Sequence, residues 1–204
     1  MYLYDQRILG IFIFTLLGLL VIVKRTASGS VLDKPKGPLL IQLVNIFNLL
    51  FLLLVIPLTA LLLITRHHSI LEAVSISIVV PWIIAILEGT GLGLVVTGFS
   101  LMSWALISLG GNYQLGGIPP RPADRMVTTG PYRWIRHPMY AAALYISLGL
   151  ALLFRCWVFL GVFGIYLTLI LLLISTEEKE LTNAYGGQYK TLREKTKALI
   201  PFIF

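Results

Sequence analysis

Residues 140–175 read YAAALYISLGLALLFRCWVFLGVFGIYLTLILLLIS, two uncharged apolar runs, Tyr140–Phe154 and Trp157–Ser175, divided only by Arg155 and Cys156. Two residues leave no room for a loop, so the runs are read as a tight helical hairpin. A helix needs roughly 17–25 apolar residues to cross the hydrocarbon; the second run meets this and the first is short.

Working outward, three further runs precede the hairpin: residues 7–24, residues 39–65 with Pro57 as a kink, and residues 81–109 with a single acid, Glu88. The whole chain is 57% apolar and 12% charged, with a mean hydropathy of +0.89. A soluble domain has roughly 45–50% and 25%. The fold class is therefore an all-α integral membrane protein of five transmembrane helices, with the last two as a hairpin and a cytoplasmic helical tail. Residues 1–110 hold three spans; residues 111–204 hold a cytoplasmic loop, the hairpin 138–175 and the tail, and form the candidate catalytic region. Arg7 ahead of an apolar run resembles a signal peptide, but Lys24 and Arg25 stand where a cleavage site needs small residues.

The apolar stretch Ser69–Val80 would reverse the later topology if it crossed. Charge argues against a crossing. With five spans, one side receives Lys24, Arg25, Lys34, Lys36, Arg121, Arg125, Arg133, Arg136, Lys179, Lys190, Arg193, Lys195 and Lys197, while the other keeps Arg7, Arg66 and Arg155. That asymmetry satisfies the positive-inside rule, so 69–80 is read as an interfacial or re-entrant helix, with the N-terminus outside and the C-terminus cytoplasmic. The net charge of +7 is spread between spans. Topology and anionic membrane lipid account for it better than nucleic acid does, and Lys190–Lys197 would rest on headgroups. A single cysteine, Cys156, excludes an internal disulfide and a cysteine metal cluster, and is read as a buried small residue; no metal is expected. Gly89 and Gly93 form a G-x-x-x-G that permits close helix packing. Glu88 is read as an interface residue or one with a hydroxyl partner, and His67 and His68 as surface residues.

The informative loop is 112–140, NYQLGGIPPRPADRMVTTGPYRWIRHPMY. Pro138 suits the first helical position and drives His137 towards extended backbone. The helix start at 138–141 then offers free N–H groups to an anion. After the fifth span come Glu177, Glu178 and Glu180, and the tight hairpin returns them to the same side. His137, Tyr140, Glu177 and Glu178 are thereby brought into one candidate site suited to a zwitterion. His137, Glu177 and Glu178 are its candidate catalytic groups.

The run V-T-T-G-P-Y-R-W-I-R-H-P-M-Y at 127–140, the E-E-K-E-L at 177–181, then Tyr185, Gly186, Tyr189 and Pro201-Phe202 resemble the isoprenylcysteine carboxyl methyltransferase family, within a wider group that includes phospholipid N-methyltransferases. The resemblance implies that Met126, Val127, Tyr132, His137, Pro138, Met139, Tyr140, Glu177 and Glu178 bind S-adenosylmethionine, leaving S-adenosylhomocysteine after transfer. It implies a lipophilic, prenylcysteine-like acceptor entering sideways from the bilayer. Two departures bear on that acceptor: Leu173 and Lys195 stand where eukaryotic members carry arginines. In-line displacement at the sulfonium methyl needs alignment and exclusion of water, and a carboxylate acceptor needs no base. An amine acceptor would, and Glu177, Glu178 or His137 could serve. Two alternatives stay open: a sterol-type membrane reductase holding NADPH through Arg133 and Arg136, and a non-enzymatic membrane adaptor or lipid-binding protein.

Overall fold

The computed structural model describes residues 4–32, 39–67, 69–114, 120–121 and 124–199. Lys34, Lys36, His68 and Pro201-Phe202, used in the sequence reading, lie outside them. Four helices are long and apolar enough to cross a membrane: Gln6–Ser28, Leu39–Ile64, Pro81–Asn112 and Trp157–Tyr185. A fifth apolar helix, Pro138–Phe154, has 17 residues.

Helix α1 (Gln6–Ser28) begins where the Asp5 side chain accepts from the Ile8 N–H at 3.0 Å and ends at Gly29, whose φ of 77° is cheap only for glycine. Leu9, Ile13, Leu17 and Leu20 form its buried stripe, while Ile8, Ile11, Phe14, Leu19 and Ile22 are exposed. Exposed apolar side chains opposite a buried stripe are the mark of a lipid-facing helix. The second long helix consists of α2 (Leu39–Leu50), one π turn at Phe51–Val55, and α3 (Ile56–Ile64). Pro57 has no N–H to give to the carbonyl four residues back, and the wide turn just before it absorbs the mismatch. Next come α4 (Ser69–Ala73), α5 (Pro81–Leu109), α6 (Pro138–Phe154), α7 (Trp157–Tyr185) and α8 (Gly187–Lys195).

Helices α5 and α6 pack most closely, through small residues. A Cβ on Gly91 would lie 2.6 Å from the Leu153 nitrogen, and one on Gly98 would lie 2.8 Å from the Ala142 carbonyl oxygen. Gly149 meets Gly91 and Val95 in the same way. The glycine pair singled out in the sequence is the wrong one. A Cβ on Gly89 or Gly93 would meet nothing within 4 Å, because these positions are turned away from α6 while Gly91 and Gly98, two helical turns apart, face it. Gly98→Ala should therefore destabilise the protein by about 1–3 kcal/mol through overpacking. Gly89→Ala should be neutral or slightly stabilising, since alanine is the better helix former. Thermal melting of the two variants in detergent checks this.

Three other expectations are corrected. The stretch 69–80 is helical only over α4; its remainder is extended and pairs with the α6–α7 link, through Ile76 N–H to the Arg155 carbonyl at 2.5 Å and Trp157 N–H to the Val74 carbonyl at 3.1 Å. Backbone pairing to a polar link competes there with helix formation. Glu88 has a partner that the sequence reading did not give it: it forms a buried ion pair with Arg155 at 3.1 Å, which draws Arg155 out of solvent. Helix α7 does not stop at Ser175 but runs on to Tyr185, so Glu177 and Glu178 sit on a rigid helical extension. Glu and Lys sustain a helix in water about as well as Leu does; only the solvent changes. Cys156 is fully buried, as read from the sequence.

Candidate functional site

The site forms where the chain turns into α6. Proline at 138 keeps His137 out of the helix, at φ −121° and ψ 61°. Residues 134–137 are consequently extended and form parallel backbone pairs with 197–198: Lys197 N–H to the Trp134 carbonyl at 3.1 Å, Arg136 N–H to the Lys197 carbonyl at 2.8 Å, and His137 N–H to the Ala198 carbonyl at 3.0 Å. The tail thus clamps the segment that carries the histidine. The first intrahelical bond of α6 is from the Ala141 N–H to the His137 carbonyl at 3.1 Å, and Met139 and Tyr140 precede it.

From the facing extension of α7, Glu177 Oε2 accepts a hydrogen bond from the Tyr140 hydroxyl at 2.6 Å. His137 Nδ1 lies 3.9 Å from that oxygen, and its ring stacks on Tyr140 at 5.6 Å. Glu178, the next residue, turns the other way. Its Oε1 takes the Arg136 Nε–H at 2.8 Å, its Oε2 lies 3.4 Å from Arg193 Nε, and His137 Nε2 stands 3.5 Å from Oε1. The Arg136 guanidinium also donates to the Arg193 and Thr196 carbonyls. A charged hub so formed ties α6, α7, α8 and the tail together.

A cavity of about 290 Å³ opens between these groups and runs in among α1, α2, α5 and α7. Met126, Val127, Tyr132, His137, Pro138, Met139, Tyr140 and Glu177 line it; Glu178 does not. Leu173 is fully buried against Ile41 and Val44 of α2, away from the cavity, and Lys195 is exposed. Arg133 is exposed and lies over the Trp134 ring at 5.9 Å. The wall also contains residues to which the sequence reading gave no role: Lys24, Asn45, Asn48, Tyr113, Gln114, Asp124, Tyr185 and Tyr189. Asn45 and Asn48, polar within an otherwise apolar run, were the available signal; Lys24 was read only for topology.

Burial, and then the charge of Glu177, raises the Tyr132 pKa far above that of a free phenol, and burial with the Glu178 charge does the same to Tyr189. Both are neutral hydroxyls at physiological pH. Tyr189, whose ring packs in the cavity wall, has a buried hydroxyl that forms no hydrogen bond among the described residues, whereas His137 Nε2 faces Glu178 Oε1 at 3.5 Å. Buried polar atoms are nearly always satisfied, so the Tyr189 hydroxyl is open to a ligand.

Residues 91–183 match the family model of the isoprenylcysteine carboxyl methyltransferases. The chain resembles that family. The matched stretch takes in α6 and α7 with both glutamates. The protein-S-isoprenylcysteine O-methyltransferase of Schizosaccharomyces pombe is 29% identical over 129 residues, which is 62% of this chain and 55% of the relative. That of Mus musculus is 30% identical over 121 residues, 57% of this chain and 42% of the relative. An uncharacterized Bacillus subtilis protein, YpbQ, is 37% identical over 79 residues, 38% and 46% of the two chains. The chain spans about half the length of these curated relatives. The solved structure of a eukaryotic intramembrane Ras methyltransferase, an isoprenylcysteine carboxyl methyltransferase, aligns with a TM-score of 0.52 at 20% identity, over 92% of this chain and 74% of that one. The two share a fold.

Proposed function

We propose that the protein is an integral membrane methyltransferase that uses S-adenosylmethionine to methylate the carboxyl group of a prenylcysteine-like lipophilic acceptor. Five helices cross the bilayer in this reading, with the site and C-terminus cytoplasmic and the N-terminus outside. Trp82 and Trp104, both exposed, are 22 residues apart on α5 (104 − 82), or about 33 Å at 1.5 Å per residue. This matches a hydrocarbon slab of about 30 Å with tryptophans at both faces. Trp134 packs on Trp104, and in this reading exposed Trp157, at the start of α7, would share the outer face with Trp82.

One observation carries the proposal: a single cavity joins a polar end, made by His137, Tyr140 and Glu177, to an apolar end made by Leu17, Leu20, Leu52, Met102 and Leu106. The polar end suits a zwitterion. Glu177, steadied by Tyr140, would hold the ammonium, and the start of α6 would face the carboxylate. Tyr189 Oη would meet a remaining polar atom, with His137, Met126, Val127, Tyr132, Pro138 and Met139 as walls. Glu178 positions His137 and the tail. When bound, the donor supplies an electrophilic methyl on a sulfonium sulfur; the chain's part is to align the acceptor with it and to exclude water. A carboxylate asks for no proton acceptor, whereas an amine, as in phospholipid N-methylation, would, and the carboxylate of Glu177 is already bonded to Tyr140. The reductase reading is less well supported, because Arg133 lies outside the cavity and Arg136 is engaged with Glu178.

Calorimetric titration of the detergent-solubilised protein with S-adenosylmethionine, S-adenosylhomocysteine and NADPH tests the reading. Saturable binding of the first two is expected. Binding of NADPH alone would replace the methyltransferase with a reductase.

A further inference from the structure

We propose that the Tyr189 hydroxyl binds the carboxylate at the amino-acid end of the donor and so fixes which way round that zwitterion lies. This deepens the methyltransferase reading and rests on it. Gly186, at φ 55°, separates α7 from α8 in a conformation that favours glycine, and Tyr189 lies within the first turn beyond it. The side chain is 2% exposed and forms part of the cavity wall, yet its hydroxyl makes no hydrogen bond among the described residues. A buried hydroxyl without a partner lowers stability, and a phenylalanine of the same shape would avoid that loss. Packing therefore accounts for the ring and leaves the hydroxyl to a ligand.

The charges around the hydroxyl give the ligand its direction. The acids that line the cavity are Asp124 and Glu177, and the bases are Lys24, Arg125 and Arg136. Asp124 is held by Arg121 at 3.0 Å and by the Gln114 amide at 2.6 Å. Glu177 is bonded to a neutral group, the Tyr140 hydroxyl, with the His137 ring at 3.9 Å, and so still calls for a cation. Lys24 lies by the Tyr113 ring and the Ser30 carbonyl, and Arg125 is exposed. The charges that act on the Tyr189 phenol are instead Glu178, Arg136, Glu177 and Arg193. Two guanidiniums against the one carboxylate of Glu178 leave the hub positive, while Glu177 is negative, and the phenol feels both. A zwitterion with its ammonium on Glu177 carries its carboxylate one carbon further on, towards the hub. Reversed, it would set carboxylate against carboxylate. A carboxylate accepts about four hydrogen bonds. The Met139 and Tyr140 N–H groups, ahead of the first intrahelical bond of α6, can supply some of them. The Tyr189 O–H, kept protonated by burial, supplies another without adding charge.

The test titrates wild type and Tyr189→Phe in detergent with S-adenosylhomocysteine and with its decarboxylated form, S-adenosyl-3-thiopropylamine, which keeps the ammonium and lacks the carboxylate. The ligand-free proteins are melted in parallel. Loss of one hydrogen bond to a charged group predicts that Tyr189→Phe binds S-adenosylhomocysteine at least about tenfold more weakly, and binds the decarboxylated form as wild type does. Ligand-free Tyr189→Phe should melt at or above wild type, because the ring still fills the wall and the unmet hydroxyl is gone. Equal affinity of the two proteins for S-adenosylhomocysteine overturns the assignment. So does an equal loss for both ligands, which puts the hydroxyl on the nucleoside half if the variant melts like wild type and gives it a structural role if it melts lower. Wild type that binds neither S-adenosylmethionine nor S-adenosylhomocysteine removes the underlying reading instead.

Discussion

Glu177→Ala should weaken S-adenosylmethionine binding roughly 100-fold, about 2.8 kcal/mol, with little change in thermal stability. The size follows from what the carboxylate does. It is an anionic group at the polar end of the cavity, held by the Tyr140 hydroxyl at 2.6 Å, and charge-assisted hydrogen bonds in a site shielded from water are about twice as strong as neutral ones. Stability should hold because Glu177 is not part of the Arg136 hub, and its removal leaves only the neutral Tyr140 hydroxyl to find water. Glu177→Gln separates charge from shape: the amide oxygen can still accept from Tyr140 but offers a ligand ammonium no charge. Calorimetry on the three proteins should rank wild type above Gln and Gln above Ala. Equal affinity in wild type and Ala would take Glu177 out of the donor site.

Much of this arrangement is legible in the sequence, and the reasons for the gaps are physical. Composition and run length give the apolar helices, because crossing a bilayer constrains every residue of a span alike. Pro138 gives the start of α6 to the residue, since a fixed φ and a missing N–H act locally. The polar groups that meet in the cavity were found from spacing, because a two-residue link between α6 and α7 forces their far ends together. What spacing cannot give is the direction of a side chain. Glu177 and Glu178 look alike in sequence, yet a helix turns successive residues by about 100°, so one faces the cavity and the other the hub. Gly89 and Gly91 differ in the same way: the four-residue motif is visible, but which glycine faces α6 depends on the rotation of α5. Glu88 and Arg155 are 67 residues apart (155 − 88), and no local pattern links them. The match to the family model begins at Gly91, inside the third apolar run. The shared fold reaches over 92% of the chain. The first helices are thus alike in shape, while their sequences, selected only for being apolar, are free to drift.

The second large effect concerns the hub rather than the cavity. Arg136→Leu should destabilise the protein by about 3–5 kcal/mol, the usual result of stripping one partner from a buried charge. Glu178, with a side chain 12% exposed, would keep only Arg193, itself 61% exposed, at 3.4 Å, and the His137 ring at 3.5 Å. The Arg193 and Thr196 carbonyls would lose a donor as well. The tail should then loosen, and trypsin should cut at Lys190, Arg193, Lys195 and Lys197 far faster than in wild type. The double variant Arg136→Leu with Glu178→Leu removes both charges, and replacing a buried pair by apolar residues is often neutral, so it should recover most of the stability. This double variant also separates the two glutamates. A positioning role for Glu178 predicts that the refolded site keeps S-adenosylmethionine affinity within about tenfold of wild type, whereas direct contact with the donor predicts a loss as large as that of Glu177→Ala. If the single variant melts and is digested like wild type, the tail is held by the backbone pairs between 134–137 and 197–198 alone, and the hub contributes nothing to the clamp.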